Sequence, residues 1–318
     1  MRHALALAAV FAAAPALAAD LPKTKSAPAA TAPSLACLET RGISNDAFGF
    51  ASGSDVNDLG QRTAAVEYDG AFGAKFGTAW SHLGKTQVEF SPIRCLDMTA
   101  WATGAWSRSK DDLGGVVSRS RVFGVGYETK YKILGRDLHG VGLTVSFEPS
   151  AAFGRLRSYD PSIPAATRWS QRAYTGTAKI ILDKELIRDR LWGAFNVENA
   201  ATFTRANLND CATNSGSGYC KGSSLNLRAA LAFKLADGLF MGVDGSHQRV
   251  YDGAFLNRHP GYAWFAGPNL LWQIRDGMAL SAAWSQQLSG KAPGQAGGRL
   301  NLDQFSRTVV KTKLAVDF

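Results

Sequence analysis

Beyond Gln61, apolar and polar residues alternate with a period of two. In 118–134 one parity reads Ser118, Ser120, Gly124, Gly126, Glu128, Lys130 and Lys132, and the other Phe123, Val125, Tyr127, Thr129, Tyr131 and Ile133. Successive side chains of a strand project to opposite faces, so this spacing predicts a sheet with one wet and one apolar face. A helix would scatter both sets around its circumference. The split recurs in 140–153, 190–204, 223–235 and 310–318. About twelve segments read this way: 61–73, 83–91, 95–107, 118–134, 138–156, 166–183, 189–206, 222–235, 238–251, 261–274, 277–289 and 306–318. Several exceed the usual strand of about five or six residues, whereas about ten tilted residues cross a bilayer.

The connections sort by length. Gly135–Asp137, Lys184–Arg188, Ala236–Gly238 and Arg275–Gly277 are short, and two of them carry the Asp-Gly pair that favours tight hairpins. Between them lie longer polar loops at 110–115, 157–164, 207–221, 252–260 and 290–305. Short inner turns, long outer loops and an even strand count define a transmembrane barrel. The predicted fold is therefore all-β: a transmembrane antiparallel up-and-down barrel of about twelve strands over 61–318. It must close, because lipid cannot satisfy a free sheet edge. A soluble β-sandwich also alternates, but it neither sorts its loops by parity nor leaves nearly every strand with so uncharged an apolar face.

Composition narrows the picture further. Hydrophobic residues make up 46%, which excludes a disordered chain, and charged residues only 19%. After the first twenty residues no run of about 18 apolar residues exists, so helical spans are excluded. The chain opens on Arg2 and His3, an apolar run from Ala4 to Leu17 and the small-residue site Ala16-Leu17-Ala18, the pattern of a cleaved signal peptide over 1–18. Residues 19–36 read as a flexible Ala/Pro/Lys leader. Without Arg2 the charge is 34 − 26 = +8, yet export disfavours nucleic acid as a partner. Residues 37–60 admit three placements: a periplasmic segment tethered by Cys37, a small lumenal plug, or one more strand around 47–51.

A signal sequence, closed alternating strands and a last strand ending in Leu314, Val316 and Phe318 together resemble a Gram-negative outer-membrane β-barrel protein of porin-like type. The Ala19-Asp20-Leu21-Pro22 start resembles alphaproteobacterial members of that class. The resemblance implies an outer-membrane location and contact with outer-membrane lipid and lipopolysaccharide. It also implies that Leu314, Val316 and Phe318 are read by the barrel assembly machinery. Trp106, Tyr131, Tyr251, Tyr262, Trp264 and Trp272, outward and near strand ends, fit interfacial girdles.

Four cysteines enter an oxidising compartment. Cys211 and Cys220 share a predicted outer loop, while Cys95 lies at a predicted periplasmic turn on the side of Cys37. Topology therefore predicts Cys37–Cys95 and Cys211–Cys220. No histidine stands beside them at zinc spacing, so no metal is expected.

The inward parity carries both signs, including Glu67, Asp69, Glu89 and Asp97. Charges stay ionised inside a barrel only beside water or partners. The candidate solute path is lined by Lys85, Glu128, Lys130, Lys132, Glu148, Lys179, Glu198, Arg228, Lys234, Asp244, Lys311 and Lys313. Lys130, Lys132, Lys234, Lys311 and Lys313 fall in the periplasmic half and form a candidate basic patch. The expected function is passive passage of small hydrophilic solutes, with mild anion preference. A closed structural barrel supporting envelope integrity is the alternative. A lipid-acting enzyme would need a base, and His247 is the one candidate; its neighbour Ser246 points the other way. No covalent chemistry and no cofactor are expected.

Overall fold

The computed structural model describes Cys37, Ile43 and residues 45–318, apart from 74–76, 113–114, 163–166, 207–218 and 296. The predicted signal, the leader and Cys211 lie outside the described residues. Twelve strands follow one another: β1 (Arg62–Phe72), β2 (Thr78–Ile93), β3 (Leu96–Lys110), β4 (Val117–Leu134), β5 (Gly142–Tyr159) and β6 (Thr167–Ile187), then β7 (Leu191–Ala206), β8 (Cys220–Ala236), β9 (Leu239–Asp252), β10 (Gly261–Arg275), β11 (Met278–Lys291) and β12 (Thr308–Asp317). Each pairs antiparallel with its sequence neighbours, and β1 closes the barrel on β12. Closure removes every free edge, as a sheet in hydrocarbon requires.

The two faces separate as the alternation predicts. Phe123 (53%), Phe147 (54%) and Val243 (56%) are exposed on the outer wall, while Asp97, Glu128 and Lys132 are buried inside. So many exposed large apolar side chains would be a liability in water and are ordinary in a lipid-facing wall. Trp106, Tyr131, Trp264 and Trp272 stand outward and exposed at their predicted positions. Tyr251 and Tyr262 are only partly exposed, packed against His259. Leu314 and Val316 pair with Val66 and Ala64, on the parity opposite Lys313.

The turns at one end are tight. Ala236 pairs with Leu239 and Arg275 with Met278, leaving Asp237-Gly238 and Asp276-Gly277 as two-residue loops. Gly238 and Gly277 adopt φ of 73° and 71°, the left-handed conformation such loops demand. Three boundaries differ from expectation by four residues or more. The β4–β5 connection holds a one-turn helix, Arg136–His139, so β5 begins at Gly142 rather than near 138. Strand β6 continues through Lys184 to Ile187, and the following turn is 188–190. Strand β2 starts at Thr78, because outward Trp80 and His82 pair across to Arg108 and Trp106 and extend the sheet.

The segment before β1 is neither an added strand nor a periplasmic appendage. A short 3-10 helix, Asn45–Phe48, leads into an irregular run that lies inside the barrel. Ala47, Phe48 and Ser54 have no exposed surface. Of the three placements open to residues 37–60, the described part takes that of a lumenal plug. Cys37 is bonded to Cys95 in the β2–β3 turn, with Cα atoms 5.8 Å apart.

Candidate functional site

The plug is held at its two ends by different chemistry. Ile43, Ala47, Phe48 and Ala51 pack on an inward apolar patch of Trp192, Ala194, Ala230, Ala232 and Leu271, with Phe240 and Ala279 at its margin. Inward alanines on β7 and β8 leave the hollow that Phe48 fills. The Gly49 backbone has φ 69°, and a Cβ there would stand 2.5 Å from Asp244 Oδ2 and 2.7 Å from Asn269 Cβ. Only glycine lets the plug approach the wall so closely.

Further along, polar groups take over. The Ser52 amide donates to Asn196 Oδ1 at 2.6 Å, and Asn196 Nδ2 donates back to the Ser52 carbonyl at 2.9 Å. The Ser54 amide and hydroxyl donate to Asp183 at 2.6 and 2.8 Å, and Thr144 Oγ1 donates to the Ser54 carbonyl at 2.5 Å. The Asn57 amide donates to Asp97 at 2.8 Å. Asp55 meets Lys132 Nζ at 2.6 Å and Arg136 at 2.5 Å, and Arg136 also reaches Asp183 at 2.6 Å. Asp46 pairs with Lys313 at 2.9 Å. Arg228 donates to the Phe50 carbonyl at 2.8 Å. The plug thereby supplies acceptors and carboxylates to buried cations of the wall, which are expensive to leave short of partners; Arg136 and Arg228 also have Asp183 and Glu198.

These pairs fix the charge state of the plug. Burial by itself pushes Asp55 upward, but Lys132 and Arg136 outweigh it and hold the carboxyl below the ordinary aspartate value. At Asp46 burial is likewise overcome, first by Lys313 and then by Lys311, with the same net lowering. Both aspartates are therefore ionised at neutral pH.

The predicted path residues divide into three groups. Lys85, Glu128, Lys130, Lys179, Glu198, Arg228, Lys311 and Lys313 border one cavity of about 520 Å³ beside the plug. Glu148 stands next to it, paired with Lys179 at 2.6 Å, and Lys179 also reaches Glu128 at 3.1 Å. Lys132 and Asp244 hold the plug instead: Asp244 lies 3.5 Å from the Phe50 amide. Lys234 is outside the site, pairing at 2.7 Å with the fully exposed Asp237 of the β8–β9 turn.

The basic patch expected from Lys130, Lys132, Lys234, Lys311 and Lys313 is not a free one. Lys132, Lys234 and Lys313 are paired as described, and Lys311 meets Glu67 at 3.2 Å. Parity places all five inward but does not reveal their partners, two of which come from the plug. Sequence reasoning missed Asp46, Ser52, Ser54, Asp55 and Asn57 on the plug, and Arg136 and Asp183 on the wall. It also passed over Trp192, Ala194, Ala230 and Ala232, apolar residues on an otherwise polar inward parity.

His247 takes the outward parity, stacked on Trp264 with ring centroids 4.1 Å apart and Arg249 Nε 3.4 Å from its Nε2. Its neighbour Ser246 faces the lumen side, as expected. None of the described cysteines is free; the predicted partner of Cys220, Cys211, lies outside the described residues.

A family model described as a family of unknown function, DUF6662, matches residues 43–318. The chain belongs to the DUF6662 family. The match begins at Ile43, so the DUF6662 unit includes the plug as well as the barrel. No curated protein matches the chain. Among solved structures, the fold resembles the translocator domain of the autotransporter NalP from Neisseria meningitidis: TM-score 0.57, 11% identity, 83% of this chain and 90% of that one. It also resembles the beta domain of the Bordetella autotransporter BrkA: TM-score 0.56, 10% identity, 82% of this chain and all of that one. A third likeness is to the COG4313 outer membrane channel from Pseudomonas putida F1, with TM-score 0.51, 9% identity, and 83% and 98% coverage. At such identities the likeness is one of fold: this DUF6662 chain has the architecture of Gram-negative outer-membrane barrels.

Proposed function

We propose that the protein is an outer-membrane channel for small hydrophilic solutes whose lumen is closed on the periplasmic side by its own N-terminal segment. One observation carries this reading. The cavity beside the plug is bordered at the periplasmic rim by Gln61, Gln273 and Asp317 and at mid-barrel by Glu67, Lys85 and Lys179. A polar cavity of about 520 Å³ thus reaches from that rim to mid-barrel beside the plug. A barrel built only as a rigid wall has no use for a polar space there, since filling it with apolar side chains would be more stabilising.

The ion pairs explain how solute preference depends on the plug. Docked, Asp46 and Asp55 neutralise Lys313, Lys132 and Arg136. Withdrawn, they remove two negative charges from beside Lys313, Lys132 and Arg136, although Arg136 keeps Asp183, so the open state favours anions. The conformational change needs no chemistry and no cofactor.

Planar-bilayer recording tests this. The wild-type protein gives small conductance steps, and a chain lacking residues 43–57 gives steps several-fold larger with a reversal potential shifted toward anions. If the plug-free barrel, folded and inserted, carries no current, the lumen is sealed by its wall and the protein is a structural barrel.

A further inference from the structure

The outer wall carries a second feature that passage through the lumen does not use. Arg108, Arg119, Arg157 and Arg168 are directly paired across β3, β4, β5 and β6, forming one transverse row. One turn of the pleat nearer the membrane, Trp106, Arg121 and Arg155 form the next row. At a strand spacing of about 4.8 Å, the first row sets four guanidinium stems across about 14 Å.

All of these arginines are exposed and point away from the lumen, since Ser107, Ser118, Ser120 and Ser158 between them face inward and bond to one another. Placing four cations side by side costs repulsion, and no ion pair among the described residues relieves it. None of the arginines is in an ion pair among the described residues. Every Asp and Glu of β3–β6 (Asp97, Glu128, Glu148, Asp183, Glu185) is on the inward parity. The nearby loop carboxylate Asp160 is engaged by the amide and hydroxyl of Ser162 at 2.8 and 2.6 Å.

The rows sit at the strand ends that join the long loops, the outer side of such a barrel. A groove of about 820 Å³ runs over them, walled by Trp80 and Trp106. Toward the membrane the same wall turns apolar, with Phe123, Val125 and Phe153 exposed. Cations above and a hydrocarbon-facing wall below match one kind of molecule, an anionic lipid of the outer leaflet. Guanidinium forks bind phosphate and carboxylate alike, but a phosphate monoester carries up to two charges where a carboxylate carries one, which suits so dense a row of cations. Several closely spaced arginines favour a headgroup bearing more than one phosphate.

We infer that the outward arginine rows of β3–β6 form a binding site for the phosphorylated glucosamine headgroup of lipid A, the membrane anchor of lipopolysaccharide. The site rests on the outer-membrane placement proposed above and is independent of whether the lumen conducts.

The test uses the full mature protein folded in detergent micelles, with bound lipid counted by native mass spectrometry. Diphosphoryl lipid A is compared with its dephosphorylated form and with phosphatidylglycerol. Wild type binds diphosphoryl lipid A at least tenfold more tightly than either. The variant combining Arg108→Gln, Arg119→Gln, Arg157→Gln and Arg168→Gln loses at least tenfold, whereas Lys184→Gln, outward at the opposite end of β6, matches wild type. Heat-modifiable migration on gels confirms that each variant is folded. A quadruple variant that binds within twofold of wild type overturns the site, and equal binding of phosphatidylglycerol overturns the choice of lipid. Failure of wild type to fractionate with the outer membrane would instead sink the placement, whatever the binding result.

Discussion

The two ends of the plug make an instructive pair. Residues 43–51 rest on β7–β11 chiefly through apolar packing, with the Asp46–Lys313 pair and the Phe50 contacts to Arg228 and Asp244 beside it, whereas residues 52–57 reach β3–β7 through hydrogen bonds and ion pairs alone. The first contact is non-directional and grows with area removed from water. The second is directional and gives little net stability, because each pair must repay its desolvation. Apolar packing therefore keeps the plug inside, and polar contacts choose where it rests. A plug held only by the first kind would be hard to withdraw; one held only by the second would wander.

That division can be broken from either side. Phe48→Ala should have the largest effect. Emptying the hollow on β7 and β8 costs about 3–5 kcal/mol of docking free energy. Hydrogen exchange over 43–57 should then accelerate by two orders of magnitude or more while the strands stay protected. If exchange there is unchanged, the apolar end is not the anchor.

Asp55→Asn should come next. It removes the charge facing buried Lys132 and Arg136, although Arg136 keeps Asp183. A cost of about 2–3 kcal/mol is expected, below the full penalty for stranding a buried charge. Its signature is displacement of 52–57 with 43–51 still protected, and a reversal potential shifted toward anions. Uniform loss of protection along the plug would mean that the two ends act as one.

The smallest change is in pH. Both plug aspartates have folded pKa values depressed below the ordinary one. Their contribution is therefore fully present above the ordinary carboxylate range and is lost as pH falls through the lowered values. Loss of these two charges should raise conductance only below about pH 4. A rise centred nearer neutrality would mean that carboxylates other than these two hold the plug.

The barrel was readable because its rule is local. Lipid on one side and water on the other write a period of two into each strand, and the closure of β1 on β12 follows from the absence of tolerable edges. Even the Cys37–Cys95 bridge followed from counting turns. The plug obeys no such period. Its Asn45–Ala51 stretch has too few residues for helical or strand alternation to emerge, and its contacts lie 129 to 194 positions away in Asp183, Asn196 and Asp244. One trace of it did exist. Trp192, Ala194, Ala230 and Ala232 are apolar on the parity that should be wet, and such a break marks an inner wall covered by protein. Lys132 and Lys313 show the converse: charge and direction were legible, but an aspartate from outside the sheet was the partner.

The Cys37–Cys95 bond adds something that neither end of the plug supplies. With Cys37 fixed to the β2–β3 turn and Arg62 opening β1, the stretch between them is fastened to the barrel at both extremities. On the withdrawal proposed above it would swing like a drawbridge and could not be lost. Re-entry is then a unimolecular event at an effective concentration in the millimolar range, as for any short tether. Closing speed should accordingly be the same in a crowded membrane as in a sparse one.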